Sequence, residues 1–199
     1  MVVSISDRPL FLTHRLNKLV TLLRRHKITK AIAQHGFSHW DFLAKNGVRP
    51  HSTLALQQQL AGELLLHRMR EWSIPFSTAK VALRGERVTP EMEQIAHQLA
   101  PIVREIAINV TSGGEGLIER LEHKWGIPPT PDTKRISASI CWTEQSRQCQ
   151  KNEIFIGDSK QFLDINAKNI TYPSEIEKLT YLALLCECGK LRPSQIEFA

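Results

Sequence analysis

The chain has 199 residues, 42% of them hydrophobic and 23% charged, a composition that belongs to a folded protein and excludes extensive disorder. Its formal charge of +6 is uneven: residues 1–87 hold 14 Lys and Arg against 5 Asp and Glu, leaving 12 against 15 in the remainder. A basic first part joined to a slightly acidic second part predicts a polyanionic partner for the first.

The first residues lack a cationic stretch followed by an apolar core, so they do not read as a signal peptide, and no apolar run approaches the roughly 18 residues that span a bilayer. The four unevenly spaced cysteines do not resemble a secreted disulfide framework, and a cytoplasmic location is expected.

In chain order, residues 9–26 predict a helix entered at Asp7 and Pro9, with Leu12, Leu16, Leu19, Val20 and Leu23 as its apolar stripe. Arg24 and Arg25 fall at its C-terminal end, where cations complement the helix dipole. Residues 29–35 read as a short helix ended by Gly36, and residues 39–45 as another capped by Ser38 and ended at Asn46-Gly47. A longer helix is predicted over 53–72, with Leu56, Leu60, Leu64, Leu65 and Met69 buried.

Ser73-Ile74-Pro75 then turns the chain into a predicted short helix over 76–83, stopped by Arg84-Gly85. Phe76, Ala79 and Leu83 share one side of it, while Ser77, Lys80 and Arg84 share another. Thr89-Pro90 starts a longer helix whose apolar residues keep helical period from Met92 to Val110, split or kinked at Pro101. Residues 111–114 form a loop and the expected hinge of the chain. A helix over 115–125 follows and ends at Gly126.

The Pro-rich segment 127–133 predicts a stiff linker between a basic, all-helical domain, 1–126, and a small module, 134–199. In the second, residues 135–142 alternate Ile136, Ala138, Ile140 and Trp142 with polar positions, and 152–156 is a second strand, the two joined as a β-hairpin. A short element near Phe162 to Ile165 precedes a helix from the Ser174-Glu175-Ile176-Glu177 capping box to Cys188, with Gly189 as its stop. The expected fold is therefore mainly α, a helical bundle followed by a small α+β part serving interaction or dimerisation.

The turn at 73–75, the short helix ending near Gly85, the Thr89-Pro90-Glu91 start and the Ile95-Ala96 pair with Leu99 resemble the second half of a lambda-repressor or Cro-like helix-turn-helix domain over about 27 residues. The resemblance implies sequence-specific DNA binding, with Ser77, Thr78 and Lys80 at bases or phosphates and Arg84 and Arg87 on the backbone. Arg24 and Arg25 form a second basic patch. The protein is then a regulator, a homo-oligomer or a subunit of an assembly, without enzymatic activity; RNA in place of DNA is the variant partner. One alternative is a basic subunit gripping nucleic-acid backbone without reading sequence. Another is a ribonuclease of the HEPN class, whose Arg-x4-6-His pair is matched by Arg8 and His14.

Cys141 and Cys149, and Cys186 and Cys188, lack the spacing of a zinc knuckle, so free thiols and no cofactor are expected. No His-Glu-x-x-His, Gly-x-Ser-x-Gly, Walker or dinucleotide motif is present.

Overall fold

The computed structural model of the chain describes residues 11–127, 135–146 and 151–198. A small N-terminal unit comes first, with α1 (Leu12–Arg25), β1 (Lys30–Ala31), α2 (Trp40–Lys45) and β2 (Arg49–Pro50). It has a core of its own, where Val20, Leu23, Leu43 and Val48 meet and Phe37, Trp40 and Phe42 pack around them. The helix expected at 29–35 is absent; β1 pairs there in parallel with β2, and the chain then runs irregularly to Gly36.

Helix α3 (Leu54–Glu71) leads into a 3-10 turn at Phe76–Thr78 and strand β3 (Lys80–Arg87). Then follow α4 (Pro90–Leu99), β4 (Glu105–Ser112), α5 (Gly114–Trp125), β5 (Ala138–Cys141), β6 (Glu153–Phe155), β7 (Ile165–Ala167), α6 (Lys178–Glu187) and β8 (Ile196–Phe198). Four strands form one parallel sheet in the order β4-β3-β5-β6, while β7 and β8 make a small antiparallel pair.

This architecture is α/β and overturns the expected mainly helical fold. The recognition helix over 76–83 does not exist: Lys80–Arg87 is the central strand, hydrogen-bonded on both sides. The long helix from Pro90 splits at Pro101 into a helix and a strand, because proline cannot continue the ladder and the Ile- and Val-rich run beyond it suits a strand. The expected hairpin is a parallel pair; eleven residues separate β5 from β6, enough for the chain to return to the starting edge. The sheet takes β3 and β4 from before residues 128–134 and β5 and β6 from after them, so the division expected at 127–133 falls within one sheet. The linker's proline run itself lies outside the described residues.

Strand alternation gives the sheet two unlike faces. Val81, Leu83, Ile106, Ala138, Ile140 and Ile154 belong to the main core with Leu60, Leu64 and Met69 of α3, Met92, Ile95 and Leu99 of α4, and Leu117 and Leu121 of α5. The alternate positions place Lys80, Ala82 and Arg84 beside Glu105, Ala107 and Asn109 on one flank. On the other flank they meet Ser139 and Cys141, which in turn face Glu153 and Phe155. Each fully buried Leu or Ile in the apolar layer contributes roughly 1.5–3 kcal/mol.

Candidate ligand site at the carboxyl edge of the sheet

The connections from the two central strands leave in opposite directions, β3 toward β4 and β5 toward β6. In an open parallel sheet that divergence leaves a crevice beyond the carboxyl ends of the strands, where ligands characteristically bind. Here the edge is formed by Glu86 and Arg87 at the end of β3, by Ser112 at the end of β4 with Gly113 and Gly114 leading into α5, and by Trp142 and Thr143 after β5.

The glycines after β4 have different physical reasons. Gly113 has φ +79° and makes the left-handed turn from strand to helix. Gly114 lets α5 lie close on β4, since a Cβ there would come within 3.0 Å of Val110 Cγ2. Gly116 has neither reason: a Cβ would meet only the end of the flexible Arg120 side chain, at 3.4 Å. Glycine is a poorer helix former than alanine, and nothing in the packing accounts for this one.

The two helices that start at this edge also differ. Thr89 Oγ1 accepts a hydrogen bond from the Met92 amide at 3.2 Å, capping α4. No side chain caps α5, whose first turn carries Glu115 as its acidic residue. Its leading amides, at the positive end of a helix of 12 residues, are therefore available to an anion. Exposed Arg87 is the register partner of Ser112, and the Val88 amide donates to the Ser112 carbonyl at 3.2 Å, holding the cation beside the glycine turn.

Below this edge lies a buried polar cluster. The Arg84 guanidinium, fully buried, donates to Ser139 Oγ at 2.9 Å and reaches Glu153 Oε2 at 3.3 Å. It thus spans from β3 across β5 to β6. Burial pushes the Cys141 thiol up to about 12, and the Glu153 charge adds to this, while Arg84 acts in the opposite direction. A thiol so placed is a protonated packing group at neutral pH. Trp142 Nε1 is buried without an acceptor among the described residues.

The residues expected to read DNA are not brought together. Ser77 and Thr78 are exposed in the 3-10 turn, where Thr78 Oγ1 donates to the Pro75 carbonyl at 3.3 Å. Lys80 lies at the opposite end of β3 from the glycine turn, with Nζ 3.8 Å from Glu105 Oε2. Arg84 cannot hold a nucleic-acid backbone, because its charge is enclosed and satisfied inside the protein. Arg87 is exposed at the carboxyl edge. Arg24 and Arg25 are exposed on the N-terminal unit, with Arg24 Nη2 donating to Asn46 Oδ1 at 3.0 Å. His14 is exposed on α1, and its expected partner Arg8 lies outside the described residues.

Cys141 is buried in the sheet while Cys186 and Cys188 belong to α6 and its end; Cys149 lies outside the described residues. Among the described residues no three His, Cys, Asp or Glu side chains gather as a metal site. No described helix is long and apolar enough to cross a membrane.

The sequence predicts a hinge at 111–114, where the structure has the end of β4 and the glycine turn into α5. The available signal was the strand-like run Ile106 to Val110 after Pro101, followed at once by paired glycines and a helix. A scan against protein-family models finds no match for the chain, and no curated protein matches it.

Proposed function

We propose that the chain is a binding protein for a phosphate-bearing ligand, a nucleotide, held at the carboxyl edge of the parallel sheet. The observation that carries this reading is Gly116, a glycine without a packing or backbone reason in the open first turn of α5. A bare backbone there lets a phosphate approach the amides of that turn, and Arg87 supplies the countercharge. The free thiols Cys141, Cys186 and Cys188 suit a reducing compartment, so the reading places the protein in the cytoplasm.

Fluorescent nucleotide titration tests the proposal with Gly116→Ala and Arg87→Ala. Each substitution should weaken binding about tenfold or more, which is about 1.4 kcal/mol. Gly116→Ala should do so while leaving thermal stability unchanged or higher. Equal binding by the wild type and both variants, or no binding by the wild type at about 1 mM nucleotide, overturns the proposal.

A second reading rests on a different observation. Residues 11–50 carry eight Lys and Arg against the single acidic Asp41. Lys18, Arg24, Arg25, Lys27, Lys45 and Arg49 are all exposed. Such a surface suits nucleic-acid backbone without sequence readout. Replacing Arg24 and Arg25 by Ala should flatten the dependence of log K on log salt by about 1–2. An unchanged slope removes this reading.

A further inference from the structure

A cleft of about 400 Å³ lies between the N-terminal unit and the α/β unit and shares no lining residue with the glycine turn. Its walls come from the irregular chain after β1, from the residues after β6 and from the start of α6. Polar contacts hold the two units together around it. The His35 amide donates to the Glu175 carbonyl at 2.8 Å, and Lys30 Nζ meets Glu187 Oε1 at 2.8 Å.

Three features define what the cleft can hold. First, Phe37 and Trp40 line it as an edge-to-face pair, with centroids 5.2 Å apart and planes at 76°. Such a pair offers apolar ring surface against which a planar ligand can stack or pack edge-on. Second, His51 lines it while only 8% exposed. Its Nδ1 sits 3.4 Å from Glu187 Oε2. No described group bonds Nε2. Third, Glu177 and the hydroxyls of Ser159 and Thr180 line the side opposite in sequence. Thr180 Oγ1 donates to Glu177 Oε2 at 2.9 Å, leaving Oε1 without a described donor.

Among the described residues no Lys or Arg lines the cleft, although the unit beside it is strongly cationic. An anion would enter facing the Glu177 carboxylate without a described Lys or Arg to offset it. An uncharged ring that donates hydrogen bonds meets the aromatic pair and the unfilled Glu177 oxygen, beside the open ring nitrogen of His51. From this we infer that the cleft is a second binding site, for an amino-substituted nitrogen heterocycle of the aminopurine nucleoside class. The volume falls in the range of small-molecule sites, which favour junctions between structural units.

The test uses the full chain and the indole N–H resonance of Trp40, assigned through Trp40→Phe. Adenosine should shift that resonance saturably at or below about 1 mM. Purine riboside, which lacks the amino group, should bind about tenfold more weakly. Ala33→Phe, which fills the cleft from its half-buried rim, should abolish the shift while the melting temperature shows the protein still folded. Absence of a saturable shift with adenosine overturns the inference, as does equal binding of purine riboside or binding that survives Ala33→Phe. Gly116→Ala separates this site from the glycine turn. Adenosine monophosphate binding that Gly116→Ala weakens and Ala33→Phe does not belongs to the turn, whereas adenosine binding with that same pattern overturns the inference.

Discussion

Replacing Glu153 by Gln should be among the most destabilising conservative substitutions in this protein. Arg84 and Glu153 face each other at 3.3 Å with side chains only 1% and 4% exposed. At an effective dielectric constant near 20, unit charges at that separation attract by about 5 kcal/mol, a gain offset by the cost of removing both from water. Glutamine keeps the shape and removes the charge, so Arg84 stays buried with its Ser139 bond and without this carboxylate. Breaking a buried pair from one side costs about 3–5 kcal/mol, and we expect about 3 because the neutral amide still accepts a hydrogen bond. That is a large part of the 5–15 kcal/mol by which domains are stable. Urea unfolding followed by circular dichroism measures it. Both side chains have further contacts, so a double-mutant cycle with Arg84→Met isolates the pair, with a coupling of at least about 2 kcal/mol expected. A loss below about 1 kcal/mol for Glu153→Gln, with coupling near zero, would refute the claim that this pair is buried and mutually dependent.

Two further outcomes follow from other sites. Iodoacetamide at pH 8 should label exposed Cys188 in the folded protein and spare Cys141 until denaturant is added, as peptide mapping would record. The same thiol sets a pH dependence: its value rises from 9.0 to about 12 on folding, so above about pH 9 the unfolded chain ionises first. Stability should then fall with rising pH by up to about 1.4 kcal/mol per unit, a component missing from Cys141→Ala; identical pH profiles for the two proteins would remove that assignment. At the glycine turn, Gly114→Ala should cost about 1–3 kcal/mol in urea unfolding, because the added methyl meets Val110 Cγ2 at 3.0 Å and Ile108 Cγ2 at 3.6 Å. Equal stability for Gly114→Ala and Gly116→Ala would contradict the different roles assigned to these glycines.

Helices α1, α3, α4 and α5 were legible in the chain because their signals are local. Leu16, Val20 and Leu23 recur on one face of α1; Thr89-Pro90 starts α4; Gly126, at φ +65°, ends α5. Each depends on residues within a turn or two of one another. The parallel sheet has no such signal. Val81 pairs with Ile106 on one side and Ala138 on the other, partners that adjoin only after α4 and α5 have folded back. A central strand buried on both faces also loses the clean alternation that marks a half-exposed one, so Lys80–Arg87 carried a pattern that fits a short helix equally well. Arg84 shows the consequence for function: as a helical residue it would face solvent and suit phosphate, whereas in the central strand it faces Glu153 across β5. The glycines after β4 were visible as a turn, but their meaning depended on what they joined. By itself the sequence determined the basic N-terminal part, most helices and their stops, because charge and helical period are properties of neighbouring residues. Only the tertiary structure decided the strand pairing, the enclosure of Arg84 and the carboxyl-edge crevice, because each arises where segments distant in the chain meet.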